Sequence, residues 1–172
     1  MADVNVLVVF YSRYGKAEKL ALAAGLGAIQ TKANIRLRRV TDLASLETIE
    51  ADPAWKQNLT RMNMDYVAPR PADPTWADVI ILATPGDSTS ELERYVASLR
   101  STGPMDGKIA APLAGGNHES ALKPIYAAAA SAGLIVAPAS APSGDALASA
   151  RAYGRRVSLM ARALKDLDEL KS

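Results

Sequence analysis

Tyr11, Ser12, Arg13, Tyr14, Gly15 and Lys16 stand between an apolar run, Val6 to Phe10, and a helical stretch from about Ala17 to Gln30. A turn at a strand's carboxyl end that opens a helix gathers unpaired backbone N–H groups and the positive end of the helix dipole at one spot. Such a spot suits an anion, phosphate above all. Ser12 and Tyr14 add hydroxyls, Arg13 and Lys16 add positive charge, and Gly15 lets the backbone approach a ligand closely. The same residues also suit a plain strand-to-helix turn, so the neighbouring loops must decide between the two.

The elements that would position this turn follow from composition and pattern. At 172 residues the chain has the length of one domain, residues 1–172, large enough for a core without disulfide or metal staples. It has no cysteine and a single histidine, His118, which excludes thiol chemistry and argues against a histidine-based metal site. A net charge of +2 with scattered basic residues does not indicate a nucleic-acid face. No apolar run has the length of a membrane span, and the amino terminus lacks a basic region followed by an apolar core. The expectation is a soluble cytoplasmic protein.

Val6-Leu7-Val8-Val9-Phe10 has no polar alternation, so its strand must be covered on both faces, as in a parallel sheet between helices. The helix after it presents Leu20, Ala24 and Ala28 as a stripe, with Gly25 and Gly27 suited to close packing. Asn34 to Val40 carries Arg36, Arg38 and Arg39 and reads as an edge strand with solvated charges. Between Thr41 and Ala77 the pattern dissolves, with Pro53, Pro69, Pro71 and Pro74 allowing only short helical pieces around Ala44 to Glu50 and Ala54 to Met62. Such a long connection is often functional or in contact with a partner. Its tryptophans, Trp55 and Trp76, equally suit a role capping the core.

Asp78 to Thr84 is a further apolar strand, after which Ser88 or Thr89 is placed to cap a helix bearing Leu92, Tyr95, Val96 and Leu99. Lys108 to Ala114 is the next, with Pro112 predicting a bulge or a strand end. A helix with Leu122, Ile125, Tyr126 and Ala129 on one face leads to a last strand, Leu134 to Ala137. The final helix repeats Leu147, Ala150, Gly154, Val157, Ala161 and Leu164 and should pack along its whole length. Five strands alternating with helices require a parallel, doubly wound α/β sheet with right-handed crossovers. In the order 2-1-3-4-5, ligands sit beyond the carboxyl ends of the strands, between the first and third. Three polar loops then converge: Tyr11 to Lys16, Thr84 to Ser88 and Ala114 to Glu119.

Val6-Leu-Val-Val-Phe-Tyr-Ser-Arg-Tyr-Gly15, Ala77-Asp-Val-Ile-Ile-Leu-Ala-Thr-Pro85, Gly107-Lys108, Gly115-Gly116 and Gly133-Leu-Ile-Val-Ala-Pro138 carry a likeness that spans almost the entire chain in order. The sequence resembles the flavodoxin-like superfamily, most closely the WrbA-type NAD(P)H:quinone oxidoreductases. The resemblance implies a three-layer sandwich and noncovalently bound FMN, with Ser12, Arg13, Tyr14, Gly15, Lys16 and Ala17 around the phosphate. It places Thr84, Pro85, Gly86 and Asp87, with Gly115, Gly116 and Asn117, at the isoalloxazine ring. It implies electron transfer from NAD(P)H through the flavin to a quinone, and a homodimer or homotetramer.

The sequence also departs from that family. Gly86-Asp87-Ser88 follows Thr84-Pro85 where the family carries an Arg-Phe-Gly-Asn type segment, and no aromatic replaces the missing one. The third loop is shorter too. His118 reads as an exposed loop histidine at a helix start, or else as a donor to a flavin carbonyl or a quinone; Asp87 reads as a helix cap or as an acceptor from the ring. These departures motivate a second reading, a flavodoxin-like module that has lost flavin and serves binding or assembly.

Overall fold

The first strand, β1 (Asn5–Phe10), is an interior strand of a sheet whose every strand runs parallel. The computed structural model describes residues 1–115, 118–139 and 144–171. The elements that follow are α1 (Lys16–Ile29), β2 (Asn34–Arg39), α2 (Leu46–Glu50), α3 (Pro53–Asp65), α4 (Ala72–Trp76), β3 (Val79–Thr84), α5 (Ser90–Ser98), β4 (Ile109–Ala114), α6 (His118–Ser131), β5 (Ile135–Val136) and α7 (Ala146–Glu169). The five strands lie in the order β2-β1-β3-β4-β5, as the sequence led us to expect.

Alternation along the strands explains why their apolar runs are unbroken. Val6, Val8 and Phe10 join Val79, Ile81 and Ala83 against α1 and α7, while Leu7 and Val9 join Ile80 and Leu82 against α5 and α6. Each face is therefore a core face. On the first face α1 and α7 cross with their backbones almost touching. A Cβ added to Gly27 would sit 1.9 Å from the carbonyl oxygen of Arg151, and one added to Gly154 would sit 1.9 Å from that of Ala24. Leu147, expected in the buried stripe of α7, is 43% exposed, so the packing of that helix begins a turn later.

Three further expectations are corrected. The arginines of edge strand β2 are not free surface charges. Arg36 and Arg38 both pair with Asp73, which is 1% exposed, and Arg39 is itself buried. Pro112 causes no bulge: it keeps register opposite Leu82. Ile109 and Gly115 donate toward β3, so the alternate proline nitrogen faces β5, whose ladder covers only Ile109 and Ala110. The missing donor therefore interrupts no strand pairing. Finally, neither Ser88 nor Thr89 caps α5 through its side chain; Ser88 donates to Glu91 and Thr89 to Glu93. Among the described residues no helix is long and apolar enough to cross a membrane.

Candidate functional site

Tyr11 is still tied into the sheet, donating its N–H to the Ala83 carbonyl, and the chain turns immediately after it. Ser12 is buried, and its Oγ accepts from the Gly15 N–H at 3.0 Å. Gly15 precedes α1 with φ of +94°, a conformation that a side chain would strain. The helix begins with Lys19 donating to the Gly15 carbonyl, and no side chain caps it. The N–H groups of Lys16, Ala17 and Glu18 are thus left without an intrahelical partner, at the positive end of the dipole. Lys16 is exposed beside them and pairs with no carboxylate among the described residues.

A cavity of about 380 Å³ opens onto this helix end. Ser12, Arg13, Tyr14 and Lys16 line it from the first loop, Pro85, Gly86 and Asp87 from the second, and Gly115 from the third. The loops after β1, β3 and β4 are therefore brought together. Gly115 N–H donates to the Thr84 carbonyl at 3.2 Å, which joins the second loop to the third. Thr84 is fully buried and acts on the loop from below, its hydroxyl donating to the Ser88 carbonyl at 2.7 Å. Ala17 is buried and offers only its backbone. Asp87 lines the cavity and is not the residue at the start of α5, a position held by Thr89. Gly116, Asn117 and the side chain of His118 lie outside the described residues.

Arg13 does more than add charge. Its Nε donates to the Tyr11 hydroxyl at 3.0 Å, Nη2 reaches Ser88 Oγ at 3.4 Å, and the guanidinium lies 4.5 Å from the centre of the Trp55 ring. Beneath it Asp42 gathers three donors: Oδ1 accepts from the Tyr11 hydroxyl and from Trp55 Nε1, each at 3.0 Å, and Oδ2 from Arg39 Nη2 at 2.9 Å. Arg39 also donates to the Ser12 carbonyl at 3.1 Å, so an ion pair with both side chains almost fully buried holds the cradle from below. Burial keeps the Tyr11 hydroxyl protonated well above its ordinary value, which makes it a lasting donor to Asp42. Arg39, Asp42 and Trp55 are the site residues that sequence reasoning missed. The one available signal was position, because Asp42 lies just beyond the carboxyl end of β2.

Helix α3 is fastened to the cradle at two points. The Tyr14 hydroxyl donates to Asp52, which caps α3 by accepting from the Trp55 N–H. Glu18, in the first turn of α1, accepts both Arg61 Nη1 and Nη2, at 2.9 and 2.6 Å, and the Tyr66 hydroxyl at 2.6 Å. The Arg61 hydrogen bonds hold the Glu18 carboxyl below its ordinary value of 4.5, against the opposing effect of burial. A carboxyl depressed in the folded state stabilises fully above its unfolded value, and the contribution is lost as pH falls through the folded one. Glu18→Gln is accordingly expected to melt lower than the parent at pH 7 and to show a shallower loss of Tm on acidification below about 4.5. Parallel acid limbs in the two proteins would show that Glu18 contributes nothing to that loss.

No protein-family model matches the chain. A protein of Deinococcus radiodurans named NAD(P)H dehydrogenase (quinone) is 29% identical over 148 residues, 80% of this chain and 74% of that protein. One of the same name from Methylocella silvestris is 30% identical over 115 residues, 62% of this chain and 54% of that protein. Among solved structures, a flavodoxin from the domain Archaea superposes with a TM-score of 0.66 at 15% identity, covering 92% of this chain and 99% of its own. An NAD(P)H:quinone oxidoreductase from Methanothermobacter marburgensis gives 0.53 at 13% identity, covering 91% and 100%. At such identities the structural likeness is one of fold.

Proposed function

We propose that this chain, which has the flavodoxin-like fold and is related to the NAD(P)H dehydrogenases (quinone), binds FMN and passes electrons from NAD(P)H to a quinone. The observation that carries the reading is the helix end itself. Three N–H groups without intrahelical partners, a lysine with no carboxylate partner among the described residues and a loop glycine at positive φ converge on a cavity of about 380 Å³. That donor set fits a phosphate monoester, and the volume falls within the roughly 300–1,000 Å³ of small-molecule sites. When bound, the flavin supplies the hydride and electron chemistry.

The chain supplies binding and orientation. The α1 terminus and Lys16 hold the phosphate, and Ser12, with its Oγ engaged by the Gly15 N–H, sets the curvature of the loop. Pro85, Gly86 and Asp87 with Gly115 and the half-exposed ring of Tyr14 are left to face the isoalloxazine, Gly116, Asn117 and His118 completing that side. The protein works in the cytoplasm as one domain that assembles into a homodimer or homotetramer.

Titration of the purified protein with FMN and with riboflavin tests the reading. FMN is expected to bind with quenched fluorescence, and riboflavin, which lacks the phosphate, at least about tenfold more weakly. Lys16→Ala should weaken FMN by about tenfold and leave riboflavin unchanged. FMN in micromolar excess that neither binds nor quenches would sink the proposal and favour the flavin-free module.

A further inference from the structure

A second cavity, of about 750 Å³, lies on the other side of Asp42. Its walls are residues 40–43, the proline-rich segment 68–74 and one face of α5. Glu91, Arg94, Tyr95 and Ser98 supply that face at helical spacings of three and four, so α5 points one complete stripe into the cleft. The segment opposite is held rigidly. The Arg70 N–H donates to Asp73 Oδ2 at 2.8 Å, and the same carboxylate receives Arg38 and Arg36. Pro69, Pro71 and Pro74 restrict the remaining backbone freedom.

Two guanidinium groups line this cleft without a carboxylate partner among the described residues: Arg70 on the fixed turn and Arg94 on α5. The nearby carboxylates are otherwise engaged. Asp42 is turned inward to Tyr11, Trp55 and Arg39, and Glu91, 4% exposed, accepts from Ser88. Tyr95 lines the cleft, and its buried hydroxyl has no hydrogen-bond partner among the described residues. Val40, Leu43 and the prolines give the wall apolar surface, Leu43 being 47% exposed, beside the hydroxyls of Thr41, Ser98, Ser101 and Thr102. Two guanidinium groups without a carboxylate partner among the described residues, with the Tyr95 hydroxyl and apolar surface beside them, describe a binding site for an amphipathic anion.

We propose that this cleft is a second ligand site, independent of the flavin cavity, which takes a small organic anion: a flat apolar body against the prolines and Leu43, with a phosphate or carboxylate between Arg70 and Arg94. The two sites share no lining residue.

Calorimetric titration of the whole chain with 1-naphthyl phosphate, 2-naphthoate and neutral 2-naphthol, each with and without saturating FMN, tests this. At least one anion is expected to bind, with the naphthol at least about tenfold weaker, and the better anion identifies the headgroup. Arg70→Ala and Arg94→Ala should each weaken it by about tenfold while leaving FMN affinity intact, which also reports that the variants fold. Lys16→Ala should leave it unchanged. Displacement of the anion by FMN, loss of its binding in Lys16→Ala, equal binding of the naphthol, or indifference to both arginine variants would each overturn the proposal. Failure of FMN to bind alongside normal anion binding would count against the flavin reading alone.

Discussion

Gly154→Ala is expected to destabilise the protein by about 3 kcal/mol or more, although alanine is the better helix former by about 1 kcal/mol. The added methyl would lie 1.9 Å from the Ala24 carbonyl oxygen, 2.7 Å from its carbon and 2.9 Å from its Cα. These are backbone atoms in the middle of α1, with no rotamer to change. Gly27 faces the Arg151 backbone in the same way, so each helix lays a glycine on the main chain of the other. Retreat of α7 is resisted as well, since Arg162 donates to the Ala2 and Thr31 carbonyls from the far end of that helix. Because α1 also carries the anion cradle, a shifted α1 should lose FMN affinity together with stability. Gly25→Ala is the control. There the methyl meets only Ile35 Cδ1 and Val8 Cγ2 at 3.8 Å, ordinary contact, and helix propensity should leave the protein unchanged or up to about 1 kcal/mol more stable. Denaturant midpoints decide: a Gly154→Ala midpoint equal to the parent's would mean that the two helices are not in backbone contact.

The glycines show where sequence reading stops. Gly25 and Gly27 both announced close packing, yet only the partner helix distinguishes the one pressed against a main chain from the one beside two methyl groups. The strands were legible because doubly covered parallel strands show unbroken apolar runs, and the candidate site follows from a topology that places ligands at the carboxyl ends of β1 and β3. Local chemistry then marked the loops. What remained hidden were polar contacts made across long separations in sequence. Arg38 and Arg39 are adjacent on β2 and look alike, but alternation sends Arg38 to Asp73 and Arg39 inward to Asp42 and the Ser12 carbonyl. Glu18 reads as an ordinary acidic residue in a first helical turn until α3 brings Arg61 and Tyr66 to it. The loop after β3 carries no aromatic, while Trp55, which stacks on Arg13 from another part of the chain, had no local signature.

Asp42→Ala should be comparably damaging, by about 3–5 kcal/mol, since it strands a buried cation. Arg39 is 4% exposed, and its Nε has no hydrogen-bond partner among the described residues, so removing the Asp42 carboxylate leaves a buried guanidinium without its counter-charge. The Tyr11 hydroxyl and Trp55 Nε1 lose their shared acceptor in the same step. Asp42→Asn separates charge from hydrogen bonding: an amide oxygen can still accept from Tyr11 and Trp55 but no longer balances Arg39, and a cost of about 2 kcal/mol is expected. Replacing both partners, Arg39→Met with Asp42→Leu, removes the stranded charge and should recover much of the loss in denaturant midpoint. FMN affinity should not recover with it, because the Ser12 carbonyl has lost its Arg39 donor and Trp55 no longer has the bond that orients it under Arg13. Recovery of both quantities would show that the pair only fills space. Recovery of stability without affinity would show that the buried pair shapes the cradle.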